Sequence, residues 1–300
     1  MTLRTRHWIP IVTVAVALVA GVALLVGISG DDPPPPTPDN PPPSLDDVLT
    51  NFAAGLRPDA SYKPPTADER NDVVNALEPL LNQDAGPQVA SSLRSLGFTL
   101  AVETDAATGR QYALVRSDRA WGVYVFDLSK PVGRAVEVPH PNSDLRTERM
   151  GLALFRAMPG SVLLVSGTHR RVERGDVAHR TDSAFHALAA ELAARKVPQV
   201  QVHGFHDDSL PDTDVVISPG AGKPSSEIRR MADGIRDDGL SICRSGEREC
   251  GKLEGTRNEQ GKVAADHDAL FVHLETSRSV RDDEQLWPKL FKPIADELTK

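Results

Sequence analysis

Cysteine is nearly missing from this sequence: Cys243 and Cys250 are the two in 300 residues. That excludes a disulfide framework as the basis of the fold. A lone C-x6-C pair is also a poor structural zinc site, which takes about four ligands, commonly in close cysteine pairs. A surplus of positive charge is lacking as well. With 34 basic against 42 acidic residues and a formal charge of -8, there is no broad cationic field of the kind nucleic acid requires, so nucleic acid is not an expected partner. No G-x-S-x-G nucleophile elbow is present, which leaves a serine hydrolase unsupported. Ser218 to Pro224 superficially resembles a phosphate-binding loop. Ile217 stands where that motif needs its first glycine, and Pro224 follows Lys223 where it needs Ser or Thr, so the segment reads as a strand-to-helix loop.

One long apolar run is present. Ile9 to Ile28 carries no charge, and at helical rise it spans about 30 Å, the thickness of a hydrocarbon core. Arg4 and Arg6 precede it and Asp31 and Asp32 follow. The positive-inside bias therefore keeps the N-terminus cytoplasmic and sends the C-terminal part across as a single-pass membrane protein. A cleaved signal peptide is the alternative, but signal h-regions are shorter, about 7 to 15 residues, and end at a small-x-small site. No cysteine follows the run to make a lipoprotein. Asp31 to Pro43 is dominated by proline and reads as a semi-rigid spacer. The expected organisation is a cytoplasmic start and anchor over 1–30, a linker over 31–45, a helical lead-in over 46–96 and an α/β domain over 97–300. In an oxidising compartment Cys243 and Cys250 would form a local disulfide, two free thiols being the alternative.

The lead-in has Val73, Val74, Leu77, Leu80 and Leu81 at helical spacing and breaks at Asp84 to Pro87. Period-two alternation then predicts a meander of three strands, Phe98 to Glu103, Gln111 to Val115 and Trp121 to Phe126. Further strands are expected near Ala135 to Val138, Ser161 to Ser166, Gln199 to His203, Asp214 to Ile217 and Ala269 to Leu274. Helices are expected at Leu145 to Ala157, Asp182 to Arg195, Ser226 to Asp237 and Glu284 to Leu298. This alternation predicts an α/β fold, a sheet covered by helices, with ligands outside the carboxyl ends of strands.

Three strand ends carry ionisable groups. His140 leaves one strand and Asp144 follows four residues later, where both can face one ion. A second strand ends at His203, next to Gly204. On a third, alternation puts His273 and Glu275 on one face. Two histidines and a carboxylate around an open fourth position form a catalytic zinc site, and a further carboxylate can deprotonate water there. The loop from Ser166 to Ser183 adds Arg170 and Arg180, able to clamp a carboxylate, unless it is a solvated loop in which Thr181 or Asp182 caps the next helix. Arg278 lies three residues beyond Glu275.

The PHPxxDxxTE run at Pro139 to Glu148, QVHGF at Gln201 to Phe205 and FVHLETSRxxR at Phe271 to Arg281 resemble the metallocarboxypeptidase-like zinc hydrolases. The similarity is nearest to the poly-gamma-glutamate hydrolase and N-formylglutamate amidohydrolase branches. The resemblance implies a mixed sheet between helices, zinc on His140, Asp144 and His203, and Glu275 as general base. Carboxypeptidases proper use H-x-x-E, and residue 143 here is serine, so Glu148 is a rival ligand. The implied activity is a zinc-dependent hydrolase of amide bonds in a peptide-like or acyl-amino-acid substrate with a carboxylate, outside the cytoplasm. A non-catalytic surface binding domain on the same fold is the alternative.

Overall fold

Residues 43–300 are described by the computed structural model. The expected anchor and the linker up to residue 42 lie outside the described residues. Among the described residues no helix is long and apolar enough to cross a membrane.

Three helices come first: α1 (Leu45–Ala54), α2 (Ala67–Leu77) and α3 (Pro87–Ser95). Ser44 and Thr66 start α1 and α2 through capping boxes with Asp47 and Glu69, each pair satisfying free backbone donors in both directions. The meander follows as β1 (Phe98–Thr104), β2 (Gln111–Ser117) and β3 (Val123–Asp127). Then come β4 (Arg134–Val138), α4 (Thr147–Ala157), β5 (Ser161–Val165), α5 (Ala184–Ala194), β6 (Gln199–Gly204), β7 (Val215–Ser218) and α6 (Ser226–Asp237). The chain ends with β8 (Ile242–Arg244), α7 (Glu259–Asp266), β9 (Phe271–Thr276), α8 (Arg278–Asp282) and α9 (Trp287–Leu298). The segment from Pro219 to Ser225 runs from β7 into α6, as a strand-to-helix loop.

Among the described residues all nine strands join one mixed sheet in the order β1-β2-β3-β5-β4-β6-β9-β7-β8. The centre, β5-β4-β6-β9, is parallel; β3 and β7 pair antiparallel with its two edges, and the meander is antiparallel within itself. One face is predominantly apolar: Val136, Val138, Val200, Val202, Val215, Ile217, Val272 and Leu274 pack with α1, α4, α6 and α9. The other face is divided. At the meander end Val115, Phe126 and Leu164 pack under α2, α3 and α5. At the far end Val216 packs with Phe205 and the disulfide-bonded Cys243 and Cys250. Residues 46–96 are thus helical but do not stand apart, because their apolar sides complete the cores on both faces of the sheet.

Between the two apolar ends of the divided face, polar side chains occupy matched positions on adjacent strands. Glu137, Gln201 and His273 lie side by side on β4, β6 and β9, and His203 lies beside Glu275 one step on. Residues in register on neighbouring strands point to the same face.

Candidate metal centre

The loop after β4 turns tightly around the carbonyl of His140, which accepts from the backbone N–H groups of Ser143 and Asp144 at 3.1 and 3.0 Å. Asn142 and Arg146 take left-handed conformations, with φ of 59° and 73°. This fold-back sets the Asp144 carboxylate beneath its own loop's imidazole. Nδ1 of His140 lies 3.1 Å from Asp144 Oδ2, and Nδ1 of His203, from the end of β6, lies 3.4 Å from the same oxygen. Ligand atoms at the corners of a tetrahedron with bonds of about 2.0 to 2.1 Å stand about 3.3 Å apart. The His140, Asp144 and His203 ligand atoms all fall within 4.8 Å of one another, as do those of His203, His273 and Glu275. His203 belongs to both groups, its ring stacked on His273 at 4.5 Å between centroids.

Two buried atoms here have no hydrogen-bond partner, Nδ1 of His273 and Oε2 of Glu275. Buried polar atoms are ordinarily satisfied, so these orphans, beside a His/Asp/His donor set, fit a bound divalent ion such as zinc.

The charges are strongly coupled. Burial pushes Asp144 up, but His140 and His203 outweigh it and hold the carboxyl well below its usual range. Burial lowers His140, yet the Asp144 charge and the bonds from Asp144 and Asp176 leave it raised. His203 is pushed down to about 4 by burial, against the pull of the Asp144 carboxylate. Glu275 is part-exposed as a residue, but burial of its carboxyl, reinforced by Asp144, pushes it up to about 8.

Several residues that hold this arrangement escaped the sequence reading. Asp176 Oδ1 meets His140 Nε2 at 2.8 Å and His179 Nδ1 at 3.1 Å. A carboxylate on the far nitrogen of a ligating histidine fixes its tautomer and orientation. His169 is buried, with Nε2 3.0 Å from Ser143 Oγ and Nδ1 accepting from Arg171 N at 3.1 Å, so it ties the Arg170 loop to the Asp144 loop. Arg281 is buried and donates to the Phe205 carbonyl at 2.8 Å. It lies against Gly204, where an added Cβ would fall 2.0 Å from its Nη1. Gly255, with φ of 63°, likewise faces the His273 ring, 2.4 Å from an added Cβ to Cδ2. Asp176 and His169 sit in a charged loop whose sequence carries no pattern to mark them, whereas Arg281 closes the FVHLETSRxxR motif and only its role was not legible.

The expected substrate arginines divide. Arg170 reaches the centre, 3.4 Å from both Asp144 Oδ1 and Asp176 Oδ2. Arg180 instead grips Asp182 through Nε and Nη2 at 3.0 and 2.9 Å, and Arg174 binds the same carboxylate. Ser183, one residue later, caps α5. Arg278 points its Nε at Asp282 at 2.6 Å while its backbone N–H donates to Asp207. Glu148 is buried in the first turn of α4, raised by burial, but is not among the clustered ligand atoms.

A recess of about 450 Å³ beside the cluster is lined by His179, Gly251, Lys252, Gly255, Thr256 and Arg257. Among the described residues Lys252 and Arg257 form no ion pair, so the rim is basic in an acidic protein. A groove of about 550 Å³ between α4 and α9 contains none of the cluster residues.

The chain is similar to metallocarboxypeptidase-like structures. YNDL in its apo, zinc-free form is 9% identical over 67% of this chain and 89% of its own, with a TM-score of 0.40. The bacteriophage poly-gamma-glutamate hydrolase is 11% identical over 69% of this chain and 93% of its own, with a TM-score of 0.35. A metallo-carboxypeptidase from Burkholderia cenocepacia is 10% identical over 73% and 71%, with a TM-score of 0.39. No family model and no curated protein matches the chain.

Proposed function

We propose that this chain is a zinc-dependent hydrolase of amide bonds in peptide-like or acyl-amino-acid substrates that carry a carboxylate. It is held at the cell membrane by residues 9–28, with its folded domain outside the cytoplasm. The observation that carries the reading is the convergence of both Nδ1 atoms, of His140 and His203, on one oxygen of Asp144, with an unpartnered Glu275 oxygen on the adjoining strand.

His140, Asp144 and His203 would hold the zinc, which supplies a Lewis acid for the substrate carbonyl and makes water easier to deprotonate. Asp176 keeps His140 turned so that Nδ1 faces inward. Glu275 takes the proton of the attacking water and returns it to the leaving nitrogen. A nearby cation favours its charged form, drawing its pKa down from about 8. Arg170, held by two long contacts, and the basic rim of Lys252 and Arg257 suit the substrate's carboxylate.

The test is metal content and turnover of the purified full chain. About one zinc per chain and hydrolysis of N-acyl glutamate or a glutamate-terminated peptide are expected, both lost in His203→Ala. A chain that takes up no zinc, or hydrolyses these amides equally well as His203→Ala, overturns the proposal. For the anchor, deleting residues 1–30 should move the protein from the membrane to the soluble fraction.

A further inference from the structure

Beneath His203 lies a buried carboxamide with all four of its hydrogen-bonding positions filled. Gln201 Oε1 accepts from His203 Nε2 at 2.6 Å and from Asn258 Nδ2; its Nε2 donates to Glu137 Oε2 at 2.6 Å and to Gln260 Oε1 at 3.2 Å. Glu137, Gln201, Asn258 and Gln260 are all buried.

The direction of each bond is fixed from outside the cluster. Asn258 caps α7, its Oδ1 accepting the backbone N–H of Gly261 at 2.9 Å, so its amino group must face Gln201. Gln260 donates from Nε2 to the backbone carbonyl of Val177 at 3.0 Å, so its carbonyl must face Gln201. Two backbone groups, one N–H and one C=O, therefore force the Gln201 oxygen toward His203 and its nitrogen toward Glu137. An imidazole nitrogen facing a carbonyl oxygen can only donate. His203 must carry its proton on Nε2, leaving the Nδ1 lone pair free on the side of Asp144.

We infer that Gln201 is a positioning residue that selects the metal-binding tautomer of His203, with Asn258, Gln260 and Glu137 fixing its orientation. This rests on His203 being a metal ligand, as proposed above. Outer partners of ligating histidines change metal affinity by about 10- to 100-fold.

The tautomer can be read in the metal-free wild-type full chain by two-bond 1H–15N correlation of the histidine rings. The Nε2–H form of His203 is expected, and an Nδ1–H form overturns the inference without any substitution. Zinc affinity is then measured by chelator competition for wild type, Gln201→Leu and the paired swap Glu137→Gln with Gln201→Glu. The swap keeps an acceptor beneath His203 and reverses the bond to residue 137, but gives up the bond to Gln260 Oε1. Gln201→Leu should bind zinc about 10- to 100-fold more weakly, and the swap should recover part of that loss. Equal affinity for wild type and Gln201→Leu refutes the role of Gln201, whereas failure of the wild type to bind zinc refutes the metal site itself.

Discussion

Glu275 gives the sharpest prediction, because its burial has a signed consequence for stability. In the metal-free protein its carboxyl is pushed from an ordinary value of 4.5 to about 8, first by burial and then by the Asp144 charge. The folded state thus holds a proton that the unfolded chain releases between those pH values. Stability from this group is fully present below pH 4.5 and is lost as pH rises through 8. At about 1.4 kcal/mol per pH unit the loss is at most about 5 kcal/mol, and roughly half that with the residue's partial contact with water. Glu275→Gln removes the titrating group and keeps the shape. In urea unfolding of metal-free protein, the variant should match the wild type near pH 4.5 and exceed it by roughly 2 to 5 kcal/mol at pH 9. Glu137, raised to about 7 by burial, changes both proteins alike and cancels in the difference. A difference that stays flat from pH 5 to 9 would refute the reasoning, since Glu275 would then be an ordinary solvated carboxylate.

Three further outcomes follow from contacts around the centre. Asp176→Asn keeps an acceptor for His140 Nε2 but removes the charge, so zinc affinity by chelator competition should fall about 10- to 100-fold with the fold intact. Gly204→Ala places a methyl 2.0 Å from the buried Arg281 guanidinium, and chemical unfolding should show a loss of roughly 1 to 3 kcal/mol. Replacing both Cys243 and Cys250 with serine opens a short loop, which should cost roughly 2 to 3 kcal/mol by the same assay.

Much of the sheet and the cluster's ligand types were legible because both follow strict periods. The meander shows period-two alternation, and β6 reads Gln-Val-Gln-Val-His, with every polar residue on one face. His203, His273 and Glu275 are visible by that count. β8 and α7 were missed: β8 has three residues, and α7 begins in a stretch whose glycine and asparagine read as a turn. The arginines were the least legible. Arg170, Arg180 and Arg278 all have acidic neighbours in sequence, and which of them reaches the centre depends on competing partners such as Asp182 and Asp282.

The split character of the sheet also explains why a polar centre is tolerated inside this fold. One face is mostly Val, Ile and Leu across the central strands, whereas the other encloses a row of groups each of which costs about 1 to 3 kcal/mol if left without a partner. Gln201 has all its partners, while His273 Nδ1 and Glu275 Oε2 have none. Two of the unfilled bonds lie where the ligand atoms converge, where a cation would relieve their penalty, while Glu137 Oε1 and the Gln199 carboxamide are unfilled further along the same face. Binding then acts directly on folding: zinc at 100 times its dissociation constant adds about 2.7 kcal/mol of stability. In the metal-free domain the loops that carry Asp144 and Asp176 should accordingly open most readily, and hydrogen exchange there should slow when zinc is added.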